Sequence, residues 1–382
     1  MRIQGGTALV GGKLTPADVD ISEDEGLITA VGAETGNGRC IDASGLLVLP
    51  GIVDIHADAF ERQLMPRPGV AFPFDVALAE SDRQALSNGI TTMYHGVTWS
   101  WEPGLRGADN ARAILSAIEE LRPRLGADTR YHLRYETYNL DAETEVSDWL
   151  AGRRIGMLGF NDHLPGADLT ARTRKLGQMA ERAGLSHEDF SALVERVKRR
   201  ADEVPESIAR LAATACESAV PMLSHDDMSP EQRRWFRDLD CRLAEFPTTV
   251  ETAQEAVAGG DDVVLGAPNV VRGGSHIGWI GAAEMIERGC CTILASDYYY
   301  PAPLIAAFRL AADGVVALEQ AWSFVSERPA SAAALEDRGT IEAGRRADII
   351  LVDASDQRRP VIAATIANGR VQYASASGRL NS

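Results

Sequence analysis

The chain has 382 residues and a formal net charge of −17, with 45% hydrophobic and 24% charged side chains. That is ordinary globular composition, long enough for one large α/β domain and a smaller one, and its acidic balance opposes adhesion to nucleic acid or anionic lipid. No apolar run reaches the roughly 18 to 20 residues of a membrane span, and the start "MRIQGGTALV" lacks the plan of a secretory leader, so no membrane partner and a cytoplasmic location are expected.

Residues 1–49 carry short alternating segments such as "ADVDI" and "LITAVG" between Gly, Asp and Glu, which predict a small antiparallel sheet. "LPGIVDIHAD" then opens a series of eight strand-like runs, continued by "ITTMYHGV", "YHLRYET", "IGMLGFNDH", "PMLSHDD", "CRLAEFPTT", "DVVLGAPNVV" and "CTILASDYY". Between them, "NARAILSAIEELRPRL", "PESIARLAATACESA" and "VETAQEAVAGG" repeat apolar residues at helical spacing. Eight such units over residues 50–337 predict a closed (β/α)8 TIM-like barrel rather than an open sheet. An insertion over residues 167–198 exceeds a normal connection, and loops of that size near strand ends often act as lids. The strand texture of the start returns over residues 338–382, where Asn368-Gly369 between apolar strands signals a hairpin. Residues 1–49 and 338–382 are therefore expected to form one small β-sandwich domain from both ends of the chain. Five cysteines without a C-x-x-C spacing argue against a disulfide framework or a cysteine zinc knuckle.

Nearly every barrel run finishes in a polar residue of ligand type: His56 and Asp58, His95, Glu136, Asp162 and His163, His225 with Asp226 and Asp227, Glu245, Asn269, and Asp297. In a parallel barrel those ends share one face, so groups distant in sequence converge on one pocket. Strand residues two apart project to the same side, so His56 and Asp58 can hold one divalent ion between imidazole nitrogen and carboxylate oxygen. Glu136, His163, His225 and Asp297 bring enough further nitrogen and oxygen donors for two ions. Zinc fits the donor types, with manganese or iron as alternatives, and such ions lower the pKa of bound water towards neutrality. A single strand-end histidine is more often a hydrogen-bonded structural group; it is the convergence that favours a metal role. His132 and Arg134 share a face with Glu136, with His132 deeper and better suited to support.

"GAPNVVRGGSHIG" over residues 266–278 joins glycines, whose backbone amides approach anions closely, to donors on Arg272, Ser275 and His276. Arg62 and Arg67 follow the first strand closely enough to reach the same pocket. Two capping boxes are expected, Ser186 with Asp189 and Thr248 with Glu251.

On these motifs the chain resembles the amidohydrolase superfamily: "LLVLPGIVDIHAD" is similar to its first-strand signature, "ASDY" to its last-strand aspartate, and "GTIEAGRRADIILVD" to its terminal sheet. The first-strand motif departs from the usual His-x-His, with Asp58 in the second position, which hardens the site. Taken together, "DIHADAFERQLMPRPGV", "HLRYE", "NDHLPG", "SHDD", "AEFPTT" and "GAPNVVRGGSH" resemble a narrower family, diphosphatases of phosphonate metabolism that cut a ribose 1-methylphosphonate 5-triphosphate to pyrophosphate and the 5-phosphate. The resemblance implies a metal shell of His56, Asp58, Glu136, His163, His225 and Asp297, with Asp297 also the base for the attacking water. Arg272, Ser275 and His276, with Arg67 and Asn269, are the residues expected to bind the phosphorylated or phosphonate substrate. Hydrolysis of a C–N or ester bond and a non-catalytic scaffold are the competing readings, and a homo-oligomer is left open.

Overall fold

The structure is a computed structural model that describes residues 1–32, 39–67, 69–164, 169–273, 281–375 and 380–381, without the side chains of 169–175 and 380–381. Its first strands are Arg2–Gln4 (β1), Thr7–Val10 (β2), Lys13–Pro16 (β3), Asp18–Ser22 (β4), Leu27–Gly32 (β5), Cys40–Asp42 (β6) and Leu47–Pro50 (β7). Eight more follow: Ile52–Ala57 (β8), Ile90–Trp99 (β9), Asp128–Glu136 (β10), Met157–Asn161 (β11), Met222–His225 (β12), Leu243–Glu245 (β13), Asp262–Gly266 (β14) and Ile293–Ala295 (β15). Ile349–Asp353 (β16), Val361–Ala367 (β17), Arg370–Ala374 (β18) and Leu380–Asn381 (β19) complete the chain.

Strands β8 to β15 lie in chain order in one eight-stranded sheet, and the described pairings within it are parallel. The last strand returns to the first, where the Asp297 amide donates to the His56 carbonyl at 2.9 Å and the Asp58 amide to the Asp297 carbonyl at 3.0 Å. The fold class is thus a (β/α)8 barrel with added sheets from the termini. Both β8 and β9 are buried along their whole length, as parallel strands covered on both faces must be, which is why apolar residues predominate in them without regular alternation. Helices between the strands bury one stripe each: Ala111, Ile114, Leu115 and Ile118 in Ala108–Leu121 follow the 3.6-residue period.

The terminal strands form two sheets, as a sandwich requires, ordered β19-β6-β1-β4-β5 and β18-β17-β16-β7-β2-β3. They are not wholly antiparallel as the local pattern suggested, because β1 pairs with β6 and β2 with β7 in parallel. In β4 the alternation points Val19 and Ile21 inward, where they join Ile3, Ile41, Val48, Ile349 and Leu351 in one core cluster. Each such buried aliphatic contributes about 1.5 to 3 kcal/mol. Asn368 and Gly369 turn β17 into β18 with φ of 51° and 74°, a two-residue turn that needs the left-handed region at both positions.

By internal packing the chain divides into two compact units, Met1–His95 with Leu121–Arg130 and Asp262–Ser382, and Gly96–Glu120 with Tyr131–Asp261. The insertion lies in the second unit and is a helical hairpin, Leu169–Ala183 and His187–Lys198. Phe190 packs at 5.8 Å from Trp101, and Arg182 pairs with Glu102. Ser186 caps the second helix as expected, accepting from Asp189 N at 3.1 Å. The other cap falls one residue later than expected, on Thr249, because the Thr248 amide and hydroxyl are both taken by the Asp227 carbonyl. Among the described residues no helix is long and apolar enough to cross a membrane.

Candidate metal centre

In the first unit, His56 near the end of β8, Asp58 just past it and Asp297 just past β15 offer one donor atom each within 4.8 Å of one another. His56 Nε2 and Asp58 Oδ2 are 4.0 Å apart, the same-side placement that their two-residue spacing demands. Asp297 has φ of 54°, a left-handed conformation that aspartate tolerates better than most side chains. Asp54, two residues before His56 on the same strand face, accepts from the Ser296 amide at 3.0 Å and so pins the turn that carries Asp297. Burial pushes Asp54 up to about 6, with the hydrogen bonds from Ser296 acting against it. Sequence reasoning passed over this residue, although an acid inside an apolar strand at the spacing of His56 and Asp58 was its signal.

Asn269 was expected at a strand end but lies in a short helix, Ala267–Arg272. Pro268 starts that helix and Gly273, at φ 79°, ends it, the usual proline-first, glycine-last asymmetry. A Cβ built on Gly266 would stand 3.3 Å from Asp297 Oδ2 and 3.7 Å from Asn269 Nδ2, so the bare glycine gives both polar groups room. Arg272, on the last turn, reaches the Tyr298 hydroxyl at 3.4 Å, and Arg62 donates to the Tyr298 carbonyl. Arg67 is exposed on the turn closed by Val70 and is not brought into this group. Ser275 and His276 lie outside the described residues. His95 is fully buried with its ring 4.9 Å from Phe60. Burial holds its pKa down to about 3, with the Ala57 backbone opposing, so it is a neutral packed ring.

The second unit holds another group. Glu136, the last residue of β10, meets His163 Nδ1 at 2.5 Å and accepts from the His163 amide at 3.1 Å. Burial would raise the Glu136 pKa, but His163 outweighs it and holds it low. His225, at the end of β12, has Nδ1 at 2.7 Å from Glu245 at the end of β13, and Nε2 at 3.6 Å from Asp226. Burial lowers the His225 pKa against the pull of these two acids. The rings of His163 and His225 stand 5.3 Å apart, and His163, His225 and Asp226 offer donors within 4.8 Å. Asp226 and Phe246 have positive φ, 58° and 54°, so β12 and β13 both end in strained turns of the kind that cluster at functional sites. Asp227, the third residue of the "HDD" run, turns away: it pairs at 3.1 Å with fully buried Arg233, which also binds Ser224 and the Cys241 and Leu243 carbonyls. Glu245 was named as a strand end only; its orienting contact with His225 depends on β12 and β13 being neighbours, which the sequence shows only once strand order is known. Beside His225 opens a cavity of about 320 Å³ walled by Phe160, Ile208, Trp235 and Phe236.

Both groups suit a divalent ion. Tetrahedral ligands about 2.1 Å from an ion stand about 3.4 Å apart; one pair in each group stands at 4.0 and 3.6 Å and all donors lie within 4.8 Å, so binding an ion asks for contraction of up to about 1.4 Å. Glu245 on His225 Nδ1 turns Nε2 towards Asp226, the carboxylate–histidine arrangement usual behind a metal, but Arg134 Nη2 stands 3.4 Å from the same Nε2 and would have to give way to an ion there.

A model of the amidohydrolase family matches residues 83–373. The alpha-D-ribose 1-methylphosphonate 5-triphosphate diphosphatase of Escherichia coli (strain K12) is 32% identical over 83% of this chain and 86% of its own. The adenine deaminase of Methylobacterium nodulans is 25% identical over 97% of this chain but 58% of the deaminase. Among solved structures, dihydropyrimidinase from Brevibacillus agri NCHU1002 matches 97% of this chain and 94% of its own at a TM-score of 0.63 and 14% identity, a likeness of fold alone.

Proposed function

The chain belongs to the amidohydrolase family and is a metal-dependent hydrolase, and from that premise we propose that it cleaves the triphosphate of a ribose 1-methylphosphonate 5-triphosphate, releasing pyrophosphate and leaving the 5-phosphate. The observation that carries this reading is the pair of cations beside the first donor group: Arg62 and Arg272 both meet Tyr298, the residue after Asp297. The 32% identity to a diphosphatase supports the same choice.

In this reading His56, Asp58 and Asp297 would hold one ion, and His163, His225 and Asp226 another, with Glu136 bonded to His163 as its orienting carboxylate. A bound divalent ion, zinc by donor type with manganese or iron as alternatives, acidifies water and neutralises charge on phosphoryl oxygens. Asp297 orients the attacking water with one carboxylate oxygen and takes its proton. Phosphoryl transfer asks the protein mainly for in-line positioning and charge neutralisation, and Arg272 and Asn269 supply donors for the tail, with Ser275 and His276 as the remaining binding residues. An acidic protein can in this way accept a polyanion through a locally reversed field. Glu245 keeps His225 in its ligating orientation.

Hydrolysis of a C–N bond is the second reading, favoured by the likeness to an adenine deaminase. One assay separates the two. Metal-loaded protein given the triphosphate should release pyrophosphate and no orthophosphate; ammonia from adenine, or turnover of an N-acyl or cyclic amide without any pyrophosphate release, would reject the proposal.

A further inference from the structure

A second strongly charged concavity lies in the first unit, at the opposite end of β8 and β9 from His56. Its wall includes Arg122, Arg124, Arg130, Arg338, Arg346 and Arg370, together with Asn368 and Gln372, around a volume of about 570 Å³. Its position follows from Arg338, whose Nη1 donates to Thr92 Oγ1 at 2.8 Å. Thr92 is opposite Val53 at the start of β8, whereas His95 is opposite Ala57 at its end. Three residues of strand put the two ends about 10 Å apart.

Part of this charge is structural. Arg338 is nearly buried and binds Asp128 at 2.7 Å and Asp337 at 2.8 Å. Arg130 pairs with Asp128, and Arg346 with Asp348. A fourth acid, Asp82, lies behind the wall and accepts the amides of Gly126 and Ala127. Six guanidiniums therefore face four carboxylates, a local surplus of two positive charges in a chain with a net charge of −17. The surplus has an address. Arg122 gives Nε to the Thr129 carbonyl, while exposed Arg124 and Arg370 form no ion pair with the described residues. A Cβ on Gly126 would meet Gln372 Oε1 at 3.0 Å, so the bare glycine keeps that part of the wall free of another side chain.

We propose that this concavity is a second anion site, taking a small molecule with two or more phosphate groups and held by Arg122, Arg124 and Arg370 on the scaffold of the paired arginines. Its volume falls within the roughly 300 to 1,000 Å³ of small-molecule pockets, and guanidinium forks match phosphate oxygens two at a time. Folded structure on both sides of the cavity, the turn over 122–127 and the hairpin of β17 and β18, would be tied together by such a ligand. The proposal does not depend on what the barrel hydrolyses.

Arginine modification by phenylglyoxal, followed residue by residue with mass spectrometry on the metal-loaded protein, tests it. Pyrophosphate at about 10 mM and constant ionic strength should slow modification of Arg124 and Arg370 about fivefold or more. Exposed Arg83 and Arg359, at 71% and 88% side-chain exposure, should react unchanged. Orthophosphate should protect only at higher concentration, and the protection should persist in Asp297→Asn. A second arm uses Arg124→Glu/Arg370→Glu, two exposed positions, in which pyrophosphate should no longer protect Arg122. Equal modification of Arg124 and Arg370 with and without pyrophosphate, or equal slowing at Arg83 and Arg359, would overturn the site.

Discussion

His56, Asp58 and Asp297 are joined through main-chain amides, those of Asp58 and Asp297 bonding across the strand ends and that of Ser296 bonding the Asp54 carboxylate. His163 and His225 are set instead by side chains, each with a carboxylate on a ring nitrogen. The donor chemistry differs too: two carboxylates and one imidazole in the first group, two imidazoles and one carboxylate in the second. Backbone-set ligands can be changed in chemistry without being moved. Ligands set by side chains lose position when a neighbour is removed, because the ring is then free to turn and its partner is left buried without a bond.

The largest effect should come from Asp297→Asn. Asparagine also tolerates the left-handed backbone at that position, so the fold should keep its stability while kcat falls about 1,000-fold; a similar melting temperature with near-normal turnover would break the contrast. Glu245→Ala in the second group should act on both quantities. Turnover or metal affinity should drop about 10- to 100-fold, and urea titration should show a loss of about 1 to 3 kcal/mol; loss of activity with unchanged stability would make the two groups alike. Arg272→Ala should raise KM about tenfold with little change in kcat, as expected for one charge-assisted bond to the substrate tail; an unchanged KM removes Arg272 from binding.

The smallest effect lies away from both groups and serves as their control. Burial alone would raise Asp128, but Arg130 and Arg338 outweigh it and bring the pKa to about 2. A carboxylate depressed in the folded state stabilises fully above its unfolded pKa of about 3.9, and the benefit is lost as pH falls through about 2. Asp128→Asn should therefore cost about 2 kcal/mol near neutral pH and much less near pH 2, with kcat unchanged. A cost that does not shrink in acid would mean that the carboxylate acts by shape rather than charge.

The barrel was legible because its strands announce themselves twice, as apolar runs and by the polar residue that ends each run. His56 with Asp58 could be placed on one side from spacing alone. The terminal strands were legible one by one, but not the parallel pairs of β1 with β6 and β2 with β7, since pairing across tens of residues leaves no local trace. Asn269 was misplaced because "DVVLG" runs without a break into "APNVVR"; Pro268 was the available signal for a helix start. Asp226 and Asp227 look equivalent in sequence, yet a left-handed turn at the first sends the second to buried Arg233, a choice set by packing behind the strand.

Metal content, measured by mass spectrometry on native protein, Asp58→Asn and His225→Asn, bears most directly on the two groups. Native protein should carry about two divalent ions per chain and each variant about one, the first losing the carboxylate-rich ion and the second the imidazole-rich one. Native protein that takes up no stoichiometric ion, or variants that both retain the full complement, would contradict the account.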